Sequence, residues 1–123
     1  MSKVILITGT SSGFGRTIAE KLHSEGYTVI GTSRNPEKLH SEYLTVKLDI
    51  NDYMGSKSEV DQILNKFGKI DILINNAGTN RPAKLIDTKI EDFVYVMSLN
   101  VRSVISLTRL VVKKMLDSNI KGS

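Results

Sequence analysis

Four short apolar runs alternate along the chain with longer segments in which hydrophobic residues recur every three or four positions. The runs occupy residues 3–8, 27–33, 44–48 and 70–75. Nearly continuous aliphatic runs of this length are typical of strands buried on both faces of a parallel sheet. The sequence therefore predicts four strands, with Val4-Ile5-Leu6-Ile7 at the core of the central one.

Helical spacing occupies the intervals between these runs and the end of the chain. The longer predicted helices span residues 14–25, 56–67 and 101–115. A shorter helix is expected at 90–97, capped by Thr88, and a single helical turn at 37–39.

Two of these helices have a predicted buried face. In the first it consists of Phe14, Ile18, Ala19 and Leu22. In the last it consists of Val101, Val104, Ile105, Thr108, Val111, Val112 and Met115. Leu107 and Leu110 lie on a different side and are expected to add exposed apolar surface.

Alternating strands and helices with crossovers of this length specify an α/β fold. The expected architecture is a doubly wound parallel sheet with right-handed connections and helices on both faces. A chain of 123 residues suffices for a single such domain but is too short for two cores. Ligands of these sheets bind at the carboxyl ends of the strands, where the strand order reverses.

Composition removes several classes of function. The chain has no cysteine and only two isolated histidines, His23 and His40, which argues against disulfides, thiolate catalysis and a metal site. The formal charge of +4 comes from basic residues scattered among acids, so nucleic-acid binding is not indicated. No segment is expected to reach the roughly 20 apolar residues of a membrane span, and no export signal is apparent. A cytoplasmic protein with a small polyanionic ligand is expected.

A glycine-rich turn follows the first strand and opens the first helix. It reads Thr8-Gly9-Thr10-Ser11-Ser12-Gly13-Phe14-Gly15. Such a turn places backbone N–H groups and a helix N-terminus at one point, where a phosphate can approach closely. The spacing is T-G-x-x-x-G-x-G rather than G-x-G-x-x-G, and no G-K-[ST] follows to make a P-loop.

The same turn contains a competing motif. Gly9-Thr10-Ser11-Ser12-Gly13 matches the G-x-S-x-G of a hydrolase nucleophile elbow. A hydrolase would also need an acid and then a histidine downstream of the serine. No histidine lies after residue 40, so the hydrolase interpretation is disfavoured.

Two further motifs in the same order strengthen the phosphate-binding interpretation. Asn75-Asn76-Ala77-Gly78 follows the fourth strand and Asn100 lies beyond it. With the turn, they resemble the short-chain dehydrogenase/reductase family from residue 3 to the C-terminus. The resemblance implies a Rossmann-type sheet in the order 3-2-1-4, with a dinucleotide held by the turn between strands one and four. Ala77 and Gly78 would lie against the adenosine ribose, and Asn76 would tie neighbouring strands together.

The end of the second strand indicates which dinucleotide is bound. NAD sites place a carboxylate about 20 residues past the glycines, but here the resemblance places Ser33, followed by Arg34. A planar, permanently charged guanidinium suits a 2'-phosphate, so NADP(H) is expected in preference to NAD(H), with Ser33 or Ser12 assisting. By resemblance, Asp49 would hydrogen-bond the adenine amino group, and Ile50 belongs to the same cofactor site.

The resemblance also assigns catalytic residues, most of which are absent. Asn100, at the start of the last helix, would organise a water of the proton relay. The family's Ser and Tyr-x-x-x-Lys would come from a fifth strand and its following helix, and residues 120–123 look like the lead-in to that strand. Tyr43–Lys47 and Tyr53–Lys57 repeat the spacing, but the first pair would lie about 13 Å apart along a strand. The second pair is interrupted by Gly55 and follows Asp49 on the adenine side, so neither pair is expected near the nicotinamide. The chain alone is expected to be inactive.

The sequence is therefore interpreted as the NADP(H)-binding half, residues 1–123, of an oxidoreductase. Its parent enzyme would transfer hydride between NADP(H) and a carbonyl or hydroxyl substrate. The alternative is a non-catalytic dinucleotide-binding or interaction module that functions at this length. Because the fourth strand would lack a neighbour on one side, self-association or contact with a missing C-terminal half is expected.

Overall fold

A computed structural model describes residues 2–123 and contains a four-stranded sheet. The strands are β1 (Val4–Ile7), β2 (Thr28–Ser33), β3 (Leu44–Lys47) and β4 (Ile72–Ile74). They stand in the order β3-β2-β1-β4, and every neighbouring pair is parallel. Both the order and the parallel pairing are those predicted. All four residues of β1 are buried, as expected of a central strand.

Helices occupy the predicted intervals. The α-helices are α1 (Gly13–Ser24), α2 (Tyr53–Phe67), α3 (Ile90–Met97) and α4 (Ser103–Asp117). Short 3-10 helices span Pro36–Lys38 and Leu85–Asp87, and a π turn, Ser98–Arg102, joins α3 to α4. α2 begins three residues before the predicted position because Asp52 caps it, accepting a hydrogen bond from the Gly55 N–H at 3.0 Å.

Hydrophobic clusters form on both faces of the sheet. On one face, Ile5, Ile7 and Val29 pack with Ala19 of α1 and with Tyr43. The other face carries the larger cluster, to which α2 contributes Val60 and Ile63 and α4 contributes Leu107, Val111 and Met115. The helices thus lie on both faces, as predicted for a doubly wound sheet.

The buried face of α1 differs from the prediction. Phe14 is 83% exposed and Ile18 is 36% exposed, whereas Gly15 and Ala19 are buried. Gly15 lies so close to the preceding turn that an added Cβ would collide with the Gly9 carbonyl oxygen and Asn76 Nδ2. The first turn of α1 therefore packs through small residues, which a search for large apolar residues overlooks.

The buried face of α4 also differs from the prediction. Ser103, Leu107, Val111 and Met115 are buried, and Leu107, predicted to be exposed, is only 1% exposed. Ile105, by contrast, is 63% exposed. Apolar residues lie on most sides of this helix, so periodicity alone does not identify the side that packs on the sheet.

The N-terminus of α3 is capped differently from the prediction. Lys89 occupies the N-cap position without a side-chain hydrogen bond. The Thr88 hydroxyl instead donates to the Lys84 carbonyl at 3.0 Å, within the preceding 3-10 turn.

The continuous helical stretch Ile90–Asp117 is long and apolar enough to cross a membrane by length and composition. This corrects the expectation that no segment approaches that length. Helices that cover a sheet can meet the same criterion, and Leu107, Val111 and Met115 of this stretch belong to the core.

The outer edge of β4 is partly paired by the last residue of the chain. The Ser123 N–H donates to the Asp71 carbonyl at 3.0 Å, and the Leu73 N–H donates to the Ser123 carbonyl at 2.9 Å. These two bonds follow the pattern of a parallel neighbour. The edge predicted to lack a partner is therefore covered at Asp71 and Leu73.

Candidate nucleotide-binding cleft

A cleft of about 320 Å³ opens at the carboxyl ends of the strands, as expected for a doubly wound sheet. The glycine-rich turn, the ends of β2 and β3, the segment after β4 and one face of α3 with the π turn contribute its lining. The lining residues are Gly9, Ser11, Ser12, Thr32, Ser33, Arg34, Leu48, Asp49, Ile50, Asn51, Asn76, Ala77, Gly78, Tyr95 and Leu99. The fold thus brings together predicted site residues that lie far apart in the sequence.

Gly9 is the point where the turn meets the segment after β4. Its φ is 71°, a backbone conformation that favours glycine, and an added Cβ would come within 2.9 Å of Ala77 Cα. The Gly9 N–H donates to Thr32 Oγ1 at 3.1 Å. The close approach of these backbones fixes the floor of the cleft.

Thr8 stabilises this contact between the turn and the segment after β4. Its side chain is buried, and its Oγ1 accepts hydrogen bonds from the backbone N–H groups of Asn76 at 3.1 Å and Ala77 at 3.0 Å. Asn76 returns the contact, because its Nδ2 donates to the carbonyls of Thr8 at 3.2 Å and Gly9 at 2.9 Å. The expected role of Asn76 in tying strands together agrees with these bonds.

Residues 10–13 of the turn are either buried against β2 or exposed to solvent. Thr10 is buried, and its N–H donates to the Thr32 carbonyl at 3.0 Å. Ser11 and Ser12 are exposed and line the cleft, and the Ser12 side chain makes no capping hydrogen bond at the N-terminus of α1. An added Cβ at Gly13 would meet nothing within 4 Å. The turn therefore presents free hydroxyls and open space at a helix N-terminus, which fits a phosphate group.

The side of the cleft formed by β2 and β3 carries one cation and one carboxylate. Arg34 is exposed, and within residues 2–123 no ion pair involves it. Ser33 Oγ accepts the Asn35 N–H at 3.1 Å. Asp49 Oδ1 accepts the Asn51 N–H at 3.0 Å, which leaves its other oxygen available. A polar ligand with an anionic group near Arg34 and a donor near Asp49 fits this arrangement.

Asn100 lies within the π turn and not at the start of α4, where it was predicted. Its Oδ1 accepts the Thr79 N–H and its Nδ2 donates to the Thr79 carbonyl, both at 2.8 Å. Asn100 does not line the cleft, but these two bonds hold the segment after Gly78 against the helix. π turns inside longer helices are frequent at functional sites.

Sequence reasoning missed several lining residues, of which Tyr95 and Leu99 form a wall. They are four residues apart and therefore lie on one helix face. Their spacing was visible, but nothing in the sequence indicated that this face would border the glycine-rich turn. Asn51 was also missed; its Oδ1 is buried without a hydrogen-bond partner among the described residues.

The positions of the histidines and of Tyr43 and Tyr53 do not support the hydrolase motif or the two Tyr-x-x-x-Lys strings as catalytic sites. His23 lies on α1, its ring 6.4 Å from that of Tyr43, and neither histidine lines the cleft beside Ser11. Tyr43 is buried with its hydroxyl 3.4 Å from the Thr10 carbonyl, and Tyr53 begins α2. Across residues 2–123, no group of three or more His, Cys, Asp or Glu side chains could hold a metal ion.

Comparison with known proteins gives consistent results. The short chain dehydrogenase family model matches residues 3–123. The 3-oxoacyl-[acyl-carrier-protein] reductase FabG of Haemophilus influenzae is 38% identical over 121 residues, covering 93% of this chain and 50% of that protein. The NADPH-dependent pterin aldehyde reductase of Arabidopsis thaliana is 35% identical, with 94% and 52% covered. The chain thus spans about half the length of these curated relatives.

Solved structures show the same partial overlap. A short-chain dehydrogenase from Streptomyces avermitilis superposes with a TM-score of 0.90 at 32% identity, covering 98% of this chain and 47% of that one. ElxO, solved with NADP bound, superposes with a TM-score of 0.86 at 30% identity, covering 98% and 53%.

Proposed function

Because the chain belongs to the short-chain dehydrogenase family, we propose that it forms the NADP(H)-binding portion of an oxidoreductase. The parent enzyme transfers hydride between NADP(H) and a carbonyl or hydroxyl substrate. The family relationship establishes an oxidoreductase fold that binds a nicotinamide dinucleotide. A preference for NADP(H) over NAD(H) is a further step beyond the family relationship.

The presence of Arg34 in the same cleft as the glycine-rich turn supports that step. Arg34 follows β2 directly and lines the cleft with Ser11 and Ser12, so a ligand whose phosphates lie on the turn passes within its reach. A guanidinium pairs with a phosphate through parallel N–H donors. The pterin aldehyde reductase is NADPH-dependent by name, and ElxO was solved with NADP bound, which agrees with this preference.

Each part of the cleft has a role in this proposal. The N–H groups and hydroxyls of Ser11 and Ser12 bind the pyrophosphate at the N-terminus of α1. Asp49 accepts a hydrogen bond from the adenine amino group, and the small residues Ala77 and Gly78 leave room for the ribose. When bound, the reduced dinucleotide supplies a hydride to a carbonyl carbon.

Asn100 contributes to the site through its backbone in this proposal. Both polar atoms of its side chain are engaged by Thr79, so a relay water would have to bind main-chain groups of the π turn. Its amide side chain then acts as a positioning group that holds the Thr79 backbone beside Gly78.

A non-catalytic dinucleotide-binding module is the second candidate. The residues that line the cleft favour this candidate for the 123-residue chain. The single tyrosine in the lining, Tyr95, is followed four residues later by Leu99 rather than by lysine. The described residues therefore supply a binding cleft without the Tyr-x-x-x-Lys pair of the family. We expect the 123-residue chain to bind NADP(H) without turning over a carbonyl substrate.

Calorimetric titration with NADP+ and NAD+, together with an assay of NADPH oxidation by a panel of aldehydes and ketones, tests the proposal. Binding of NADP+ in preference to NAD+ without turnover is the expected result. Failure to bind either dinucleotide would overturn the proposal. Turnover by the isolated chain would contradict its predicted inactivity and exclude the non-catalytic alternative.

A further inference from the structure

Three side chains form a cluster behind the α3 wall of the cleft. Arg81 Nη1 donates to Asp92 Oδ1 at 2.6 Å, and the Arg81 guanidinium carbon lies 4.0 Å from the centroid of the Tyr95 ring. Asp92 and Tyr95 are three residues apart on α3, on the same helix face. Arg81 comes from the loop after β4, so the cluster joins that loop to the helix.

The same loop has a second attachment to the helix. Thr79 is held by the two hydrogen bonds of Asn100, and Arg81 is held two residues later by Asp92 and Tyr95. The Tyr95 ring is therefore restrained by Arg81, which does not line the cleft, while Tyr95 itself is a lining residue. A ring restrained in this way loses little conformational freedom when a ligand rests against it.

The composition of the cleft indicates which half of a dinucleotide Tyr95 would meet. A cleft of about 320 Å³ is at the small end of ligand sites, which span roughly 300 to 1,000 Å³, and suits one nucleoside half. The same cleft contains Arg34 and Asp49. In the proposed function these residues bind the 2'-phosphate and the adenine amino group, so the half in question carries the purine.

We propose that Tyr95 is a purine-positioning residue, whose ring forms the wall against which the adenine rests. This proposal depends on the proposed dinucleotide function. Arg81, stacked on the tyrosine and paired with Asp92, holds the ring in place. Every purine offers a flat π-surface to an aromatic side chain, and base–aromatic stacking is a general source of nucleotide affinity.

The test uses the 123-residue chain and two probes, NADP+ and adenosine 2',5'-bisphosphate, the latter containing the purine and the 2'-phosphate but no nicotinamide. Tyr95→Ala should weaken both probes by the same factor, about 5- to 150-fold. Tyr95→Leu keeps apolar bulk without the ring and should show a similar loss, which covers the case in which the alanine variant does not fold. Tyr95→Phe should bind within about twofold of the unmodified chain, since the ring is retained.

The matched control is Phe93→Ala on the same helix. Phe93 is 55% exposed and does not line the cleft, so its loss should leave both affinities unchanged. Asp92→Asn removes the ion pair to Arg81 while leaving the ring, and should give a smaller loss than Tyr95→Ala. The unliganded melting temperature of each variant separates loss of binding from loss of folding.

A spectroscopic measurement distinguishes stacking from a purely structural role. The chain has four tyrosines and no tryptophan, so tyrosine emission is directly observable. The bisphosphate should quench part of that emission in the unmodified chain, and Tyr95→Phe should lose this quenching while keeping its affinity.

Two results would overturn the inference about Tyr95 while leaving the proposed dinucleotide function intact. The first is unchanged bisphosphate affinity in folded Tyr95→Ala or Tyr95→Leu, and the second is an equally large loss in Tyr95→Phe, which would implicate the hydroxyl rather than the ring. If the unmodified chain binds neither probe, the proposed dinucleotide function fails as well, and the two failures are therefore distinguishable.

Discussion

Replacing Arg34 by alanine should convert the cleft from one that prefers NADP(H) to one that does not. Arg34 is exposed at the end of β2 and, within residues 2–123, has no ion-pair partner to stabilise it. Its removal therefore leaves no buried group unsatisfied and should not unfold the domain. The effect should be confined to ligands that carry a 2'-phosphate.

The expected loss follows from the kind of contact that is removed. A hydrogen bond to a charged group contributes about 1.5 to 3 kcal/mol, which corresponds to roughly 10- to 150-fold in affinity. Because Arg34 is exposed, salt at about 0.15 M screens part of the attraction. We therefore expect a loss of about 10- to 30-fold for NADP+ and less than about twofold for NAD+, which has no 2'-phosphate.

Calorimetric titration of both dinucleotides at low and at physiological salt measures this difference. Arg34→Lys keeps the charge but loses the planar fork, so it should fall between the unmodified chain and Arg34→Ala. Lys38→Ala is the matched control, since Lys38 is exposed, lies four residues away and does not line the cleft. It removes the same formal charge without removing a direct contact.

Equal weakening of NADP+ and NAD+ by Arg34→Ala would refute the reasoning, because it would place Arg34 on a group that both cofactors share. A loss of the same size in Lys38→Ala would also refute it. In that case the general positive potential of this surface, and not a specific contact, would set the preference.

Three further sets of experiments test the glycine-rich turn, Asp71 beside the sheet, and self-association. Gly13→Val should abolish NADP(H) binding because the side chain blocks close approach of the pyrophosphate to the turn. The φ of 60° disfavours valine, but an added Cβ has open space, so this variant should still fold. Gly15→Val should lower the melting temperature as well, and unchanged affinity in either folded variant would make the turn merely structural. Burial opposes ionisation of Asp71, but the Val4 N–H and Lys69 outweigh it and hold the Asp71 pKa below its usual value. The resulting stabilisation is present above a pH of about 3.9 and disappears as the pH falls through the folded-state pKa, so Asp71→Asn should be less stable at neutral pH and lose less stability on acidification; parallel acid-unfolding curves would contradict this. Because Ser123 already pairs with the outer edge of β4, sedimentation should show self-association through the exposed apolar residues of α4, such as Ile105 and Leu116, and a stable monomer at high micromolar concentration would contradict it.

The strand pattern was predictable because burial on both faces leaves a simple signal. β1 is aliphatic throughout, and the parallel pairing follows from helices that separate successive strands. The order β3-β2-β1-β4 was predicted from the family resemblance instead. The orientation of the helices was harder to predict. α1 packs through Gly15 and Ala19, and in α4 the sheet selects Leu107 from an apolar surface that extends around most of the helix. Side-chain size and periodicity alone carry little information about such close or one-sided packing.

The site was predictable where backbone geometry demands particular residues. Gly9 has to be glycine because its φ is 71° and Ala77 Cα lies against it. Tyr95 was not predictable in this way, since its relation to the cleft depends on how α3 is placed by the loop after β4. Arg81 and Asn100 link that loop to α3 and the π turn, and neither residue lines the cleft.

The hydrogen bonds divide the motif residues into two groups with different consequences for function. Thr8, Asn76 and Asn100 use their side-chain polar atoms to bond backbone groups of neighbouring segments. These contacts hold the turn, the segment after β4 and the π turn together. Arg34 has no such structural duty, so the supporting residues can be present whichever dinucleotide is bound. Family membership therefore predicts a dinucleotide site, whereas the proposed preference for NADP(H) over NAD(H) rests on Arg34 and has to be tested there.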